Sequence, residues 1–207
     1  MTASKYILSF TACGVLKHES IRLAQLYIEL KDWDAVREQA VSQNVLQSRT
    51  ASSLKRLAQE LCLRLQTLSE EQILVLISGT DQEQQNMLWL AICKRHDYIR
   101  EFMIDVIREK CRGLDYDLTS YDYDSFFNAK SEWHPELDQL SHSTQAKLKQ
   151  VLFRILREVG ITSKGNRINQ QVLTPTVIRA IMHDNADLIY LFPIPEAQIA
   201  EIIRDYR

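Results

Sequence analysis

Apolar residues recur every three to four positions along most of this chain, and little interrupts them: 207 residues hold only 5 Gly and 4 Pro. That period puts apolar side chains on one face of a helix, whereas a half-buried strand alternates every second residue. The chain is therefore expected to be all-α, each helix burying one stripe. The clearest stripe is Leu54, Leu57, Leu61 and Leu65, in the stretch SRTASSLKRLAQEL. At 45% hydrophobic residues the chain can fill one large core or two small ones.

Start and stop signals divide the pattern. An extended opening over KYILSFTACG precedes a helix near His18 to Leu30, and Asp32 is placed to cap a second over DWDAVREQAVSQ. A third is expected from Ala51 to Leu68. Ser69 with Glu71 and Gln72 starts another through ILVLI, and Thr80 with Glu83 has the spacing of a capping box, opening the helix that contains MLWLAICK. Helical spacing resumes at Tyr98 and runs to Gly113. Ser143 is placed to cap a long helix, STQAKLKQVLFRILREVG, with Gly160 as its stop. Thr174-Pro175 and Pro195 open the last two. Between Gly160 and Thr174, ITSKGNRINQQVL has short β-capable arms around Lys-Gly-Asn, the pattern of a small β hairpin.

Charge is distributed unevenly. Residues 115–138 carry seven acids against Lys130, a net of −6, in a Tyr-, Ser- and Phe-rich stretch. This marks a boundary, so three parts are expected: a helical part over 1–114, an acidic connecting segment over 115–141 and a C-terminal part over 142–207. Phe126, Phe127 and Trp133 indicate that the connecting segment packs down as a short helix and loop. Trp33, Trp89 and Trp133 all lie on apolar faces and are expected in the core, while Tyr116, Tyr121 and Tyr123, set among acids, suit a protein contact better than a phosphate.

Two segments oppose the chain's formal charge of −2. Asn44 to Arg64 has a net of +3, and His142 to Arg167 a net of +5. In the first, a helix, a turn over SQNVLQSR and a second helix have the layout of a helix-turn-helix, whose second helix must offer basic and hydroxyl residues and open backbone N–H groups to phosphates and base edges. Arg49, Thr50, Ser52, Ser53, Lys55 and Arg56 meet that need. The same residues also serve an ordinary capped surface helix. In the second, a basic helix followed by a basic hairpin resembles a winged helix, with Lys147, Lys149, Lys164 and Arg167 toward the duplex. Its ordinary counterpart is a solvated helix face and a surface turn.

Enzyme signatures are missing: no glycine-rich phosphate loop, nucleophile elbow or HExxH. His18-Glu19, His96-Asp97, His134-Glu136 and His183-Asp184 are expected in surface or capping roles, since sequence neighbours do not face one another on a helix. The acidic segment lacks an EF-hand's glycine and terminal Glu, so no metal or cofactor is expected. Cys13, Cys62, Cys93 and Cys111 have no metal-binding spacing and are expected as reduced thiols of a cytoplasmic protein. No apolar run approaches the 18 or so residues that span a bilayer, and no signal peptide is expected.

Taken over long segments, the chain resembles the BrxA family of BREX phage-defence systems. The resemblance is carried by YILSFTACGVLKHES, DWDAVREQAVSQNVLQSRTASSLKRLAQELCLRL, MLWLAICKRHDYIREFMIDVIREK and STQAKLKQVLFRILREVGI. Cys13 stands where a second glycine beside Gly14 is expected, so the opening turn is expected to differ slightly. The resemblance implies an all-helical protein with winged-helix-like parts that binds double-stranded DNA, without catalysis, beside other BREX defence proteins. The family's occasional description as an inner-membrane protein conflicts with the hydropathy of this chain. Low sequence specificity is expected, because Asn and Gln are not concentrated at either helix start. Two alternatives stay open: a protein-protein adaptor whose basic helices dock on an acidic partner, and an RNA-binding protein using the same surface.

Overall fold

The computed structural model describes residues 5–206. After a 3-10 turn at Ser9–Ala12, the chain forms α1 (Lys17–Leu30), α2 (Trp33–Ser42), α3 (Ala51–Leu65), α4 (Glu70–Ser78), α5 (Asp81–Arg95) and α6 (Asp97–Phe102). The last runs through a π-helical stretch, Met103–Arg108, into α7 (Glu109–Arg112). Then follow α8 (Ser120–Ser131), α9 (Pro135–Asp138), α10 (His142–Glu158), α11 (Pro175–Met182), a 3-10 stretch at Ala186–Leu191 and α12 (Glu196–Asp205). The protein is mainly helical, as its period demands.

The local signals act where they stand. Asp32 accepts from the Asp34 N–H, and the Ser69–Gln72 and Thr80–Glu83 capping boxes are both closed. Thr174 caps α11 with Pro175 in its first turn. Gly160 (φ 76°) takes the left-handed conformation just past the end of α10, which only glycine adopts at no steric cost. Two boundaries move: Ser141, not Ser143, caps α10 by accepting from the Thr144 N–H at 3.3 Å, and α3 ends at Leu65, short of Leu68.

α5 is the hub. Met87 through Cys93 are all buried, and a helix that is apolar all round must be enclosed by its neighbours. α1, α3, α4 and α11 pack around it, and the Trp89 indole N–H donates to the Leu191 carbonyl at 2.6 Å. The buried apolar residues form one cluster running from Tyr6 to Ile202. The acidic segment contributes Tyr123, Phe126, Phe127 and Leu137 through α8 and α9.

The expected extended opening is an irregular segment whose Tyr6 is pinned to the middle of the chain. The Tyr6 N–H donates to Glu136 Oε1 and its hydroxyl to Glu101 Oε2, both at 2.7 Å, while its ring stacks on His134 at 3.8 Å. At Gly14 a Cβ would come within 2.8 Å of Glu158 Oε2, the same oxygen that accepts the Val15 N–H at 2.9 Å. A larger residue there would push aside the ends of the Glu158 and Arg154 side chains and disturb that bond. Cys13 has φ −143°, extended backbone open to any residue, so its departure from the family pattern causes no strain.

Three tryptophans were expected in the core and their fates differ. Trp89 is buried, and Trp33 is half-buried, stacked on Tyr27 at 4.2 Å. Trp133 is 75% exposed, because α8 ends at Ser131 and the next inward positions are taken by His134 and Leu137.

Candidate nucleic-acid interface

α2 and α3 pack side by side, joined by a turn with two left-handed residues, Asn44 (φ 46°) and Gln47 (φ 50°). Asn is among the residues that tolerate this conformation best. Its side chain also accepts from the Ser48 N–H at 2.9 Å and donates to the Ser48 carbonyl at 3.3 Å, fixing the entry to α3. Thr50 then caps α3, its hydroxyl accepting from the Ser53 N–H at 3.2 Å with the Ser52 hydroxyl 3.4 Å away.

α3 has two faces. Leu54, Ala58, Leu61 and Leu65 are buried and Leu57 packs partly, so the expected stripe is the inner face. Arg49, Thr50, Ser52, Lys55 and Arg56 are exposed and Ser53 is half-buried. The first turn holds no acid, leaving the positive end of the helix dipole uncompensated. No ion pair joins Arg49, Lys55 or Arg56 to a carboxylate among the described residues. Lys55 borders a cleft toward α2 that also holds Asp34, Arg37 and Glu38, of which Asp34 and Arg37 pair at 2.9 Å. The Thr50 hydroxyl and the Ser53 N–H are committed to the cap, so Arg49, Lys55 and Arg56, with the Ser52 and Ser53 hydroxyls beside them, are what the helix start offers to a ligand.

The inner face also carries charge. Arg64 is fully buried, and its guanidinium donates to the Gly14 carbonyl at 3.1 Å, the Val15 carbonyl at 3.4 Å and Cys13 Sγ at 3.3 Å. Glu60, one turn earlier, lies 2.9 Å from His96 Nε2, whose Nδ1 is 3.1 Å from the Ile7 carbonyl. Burial works to raise the Glu60 carboxyl, but contacts with His96, Ser9 and Arg64 hold it below the ordinary carboxylate value. His96, expected in a surface or capping role, does stand at the cap position between α5 and α6, but its ring is buried and links α3, α5 and the opening segment. Arg64 leaves the basic surface together with Glu60, so the outer net charge is still that of Arg49, Lys55 and Arg56.

His134 also departs from expectation. It is buried and its Nδ1 lies 3.2 Å from Glu136 Oε1. The pair meets because it spans the entry to α9, where the backbone is not yet helical at His134. That carboxylate also holds the Tyr6 N–H, a tie for the opening segment.

The C-terminal basic region is more encumbered. α10 buries Leu148, Val151, Leu152, Ile155 and Leu156, leaving Lys147 exposed and Lys149 half-buried. The Lys149 ammonium contacts both Asp124 oxygens at 2.8 and 2.9 Å and lies 5.4 Å from the Tyr123 ring centre. Arg157 donates to Asn166 Oδ1 at 3.2 Å and Arg154 faces Glu158 at 3.7 Å. Beyond Gly160, the expected β hairpin is reduced to one antiparallel bridge, Thr162 with Ile168, around a turn closed by Ser163 N–H to Arg167 O at 2.8 Å. Its second arm turns to the acidic segment instead: Ile168 N–H donates to Tyr116 O at 2.7 Å and Leu118 N–H to Asn166 O at 3.1 Å. Asp117 bridges Arg167 through the backbone, and their side chains lie 3.5 Å apart. Lys164 is exposed at the tip.

Two basic regions on a mainly helical scaffold, one open and one partly covered by the chain's own acids, characterise the surface. No described helix is long and apolar enough to cross a membrane. Comparison with known proteins then places the chain. A profile of the BrxA family matches residues 4–185, and the chain belongs to that family. It is 28% identical over 159 residues to a BREX protein BrxA of Escherichia coli O9:H4 (strain HS), covering 77% of this chain and 75% of that one. To a BREX protein BrxA of Bacillus cereus (strain H3081.97) it is 32% identical over 149 residues, covering 70% and 74%. In fold it is similar to the crystal structure of an uncharacterized protein from Magnetospirillum magneticum. The TM-score is 0.77 at 22% identity, with 92% of this chain and 99% of that one covered.

Proposed function

We propose that this chain is a non-catalytic accessory protein of a BREX phage-defence system that binds double-stranded DNA with low sequence specificity and works with other BREX proteins. In this reading α2, the Asn44 turn and α3 act as a helix-turn-helix. The start of α3 meets phosphates through Arg49, Lys55, Arg56 and Ser52. α10 and the Lys164 turn act as a winged-helix-like second contact through Lys147 and Lys164, with Lys149 and Arg167 joining once Asp124 and Asp117 give way. The observation that carries the reading is the start of α3: three cations without ion-pair partners among the described residues, on a helix end that has no acid in its first turn. Cations and helix N-termini on one surface attract phosphate oxygens and fix position without reading sequence.

Fluorescence anisotropy with two labelled duplexes of unrelated sequence and equal length tests this. Both should bind with affinities within about threefold of each other, since phosphate contacts carry no sequence information. A structured RNA competitor of equal charge separates the RNA alternative: displacement at lower concentration than duplex DNA would favour it. The adaptor reading draws on the hold that Asp124 and Asp117 keep on Lys149 and Arg167, which shows how that region already engages carboxylates. It would gain if the isolated protein bound neither nucleic acid.

A further inference from the structure

A groove of about 780 Å³ runs between the π-helical stretch and α8, lined by none of the residues of the two basic regions. Its apolar lining comes from Val106, Phe126 and Ala129. Beside it stand Tyr121 and Trp133, 78% and 75% exposed, two large aromatics left in water by a chain whose core had room for its other tryptophans. Exposed aromatics gathered around an apolar cleft mark a surface that binds something.

The groove's charge says what kind of thing. Asp105, Glu109, Asp115 and Asp122 line it against Lys110 and Lys130, a net of −2. Both lysines are drawn inward: Lys110 contacts Asp115 at 2.6 Å and Asp122 at 3.2 Å, and Lys130 contacts Asp105 at 2.9 Å and Glu101 at 2.5 Å, while Glu109 pairs with Arg112 at 2.5 Å. The carboxylates are the more exposed partners, Asp115 and Asp105 most clearly. A phosphate backbone is repelled by such a rim. A lysine or arginine is attracted to it and can lie on an aromatic face as well. One wall is π-helical, Met103–Arg108, a geometry uncommon in helices and concentrated at functional sites.

We propose that this groove docks a basic, amphipathic segment of another protein, its aliphatic side chains against Val106, Phe126 and Ala129 and its lysines or arginines over Tyr121, Trp133 and the acidic rim. A second copy of this chain fits less well. At the start of α3 its cations, unpaired among the described residues, have no exposed large apolar residue from Lys31 to Ile73 to act as anchor. The proposal does not depend on the DNA reading, since the surfaces share no residue.

The test uses the full chain and a fluorescein-labelled helical peptide of about 12 lysines and leucines at amphipathic spacing, beside the same peptide with glutamate for lysine. The lysine peptide should bind and the glutamate peptide should not. W133A/Y121A, which removes two exposed side chains, should weaken binding at least about tenfold, the size expected for two lost aromatic contacts to cations. E109Q/D115N, which keeps both aromatics, should weaken it too. Circular dichroism should show the wild-type fold in both variants, and duplex-DNA affinity should be unchanged, so that failure here is distinct from failure of the DNA reading. The proposal is overturned if the lysine peptide does not bind at millimolar concentration, if both variants bind it like wild type, or if the glutamate peptide binds equally. It is also overturned if sedimentation shows a self-association that W133A/Y121A abolishes, since the occupant would then be a second copy.

Discussion

The start of α3 and the stretch from α10 through the following turn both look basic in sequence, with nets of +3 and +5, yet the fold treats them differently. At α3 the arginine that leaves the surface, Arg64, takes Glu60 with it into the core, and the exposed cations keep their full charge. Around α10 the nominally stronger charge is drawn down: Asp124 holds Lys149 and Asp117 holds Arg167, both acids coming from the connecting segment. Counting charges along a chain sums neighbours in sequence, whereas a ligand meets neighbours in space. The weaker segment in sequence therefore becomes the more available one, and α3 should dominate duplex binding.

The largest expected effect lies beneath α3. Replacing Glu60 with Leu leaves Arg64 buried without its counter-charge and His96 without its carboxylate partner, which should cost about 3–5 kcal/mol of stability by urea denaturation. The pH dependence follows in sign. Glu60 is held below its ordinary value of 4.5 in the folded chain, so its contribution is present above that pH and is lost as pH falls through the lower folded value. The variant should lose less stability than wild type on acidification below about pH 4.5. Next comes the outer face: R49E/K55E/R56E should weaken duplex binding on the order of 100-fold and reduce the salt slope by about three, with the melting temperature little changed. K147E/K164E, on the encumbered side, should weaken it only about three- to tenfold, each cation acting as a rim phosphate contact. The smallest effect should be a gain: D117N/D124N frees Arg167 and Lys149 and should tighten binding about two- to fivefold at low salt. If K147E/K164E instead matched the α3 variant, the two regions would be equal contacts and the contrast would break.

What could be read from the chain divides along the same line. Caps and stripes were legible because their partners are a few residues away: Asp32, the Thr80–Glu83 capping box, Gly160, and the leucines of α3 all act as their spacing implies. MLWLAICK reads as a buried helix for the same reason. Features made by distant segments were not legible. Nothing in the local sequence places His96 beside Glu60, sets Asp124 on Lys149, or turns Ile168 away from its hairpin toward Tyr116. Trp133 misled because an aromatic just past a helix end has no periodic position to judge it by. Of the candidate interface, its basic and hydroxyl residues were legible, while the use of Thr50 and Ser53 in capping and the covering of Lys149 and Arg167 emerge only in three dimensions.

The most direct measurement is a duplex-DNA titration of the intact protein from 50 to 200 mM salt, wild type beside R49E/K55E/R56E. If α3 is the principal contact, log affinity of the wild type should fall with log salt at a slope of about −3 to −5, and the variant should lose most of both affinity and slope while remaining folded. A flat wild-type salt response, or a folded variant that binds like wild type, would contradict it and leave α3 as a capped structural helix.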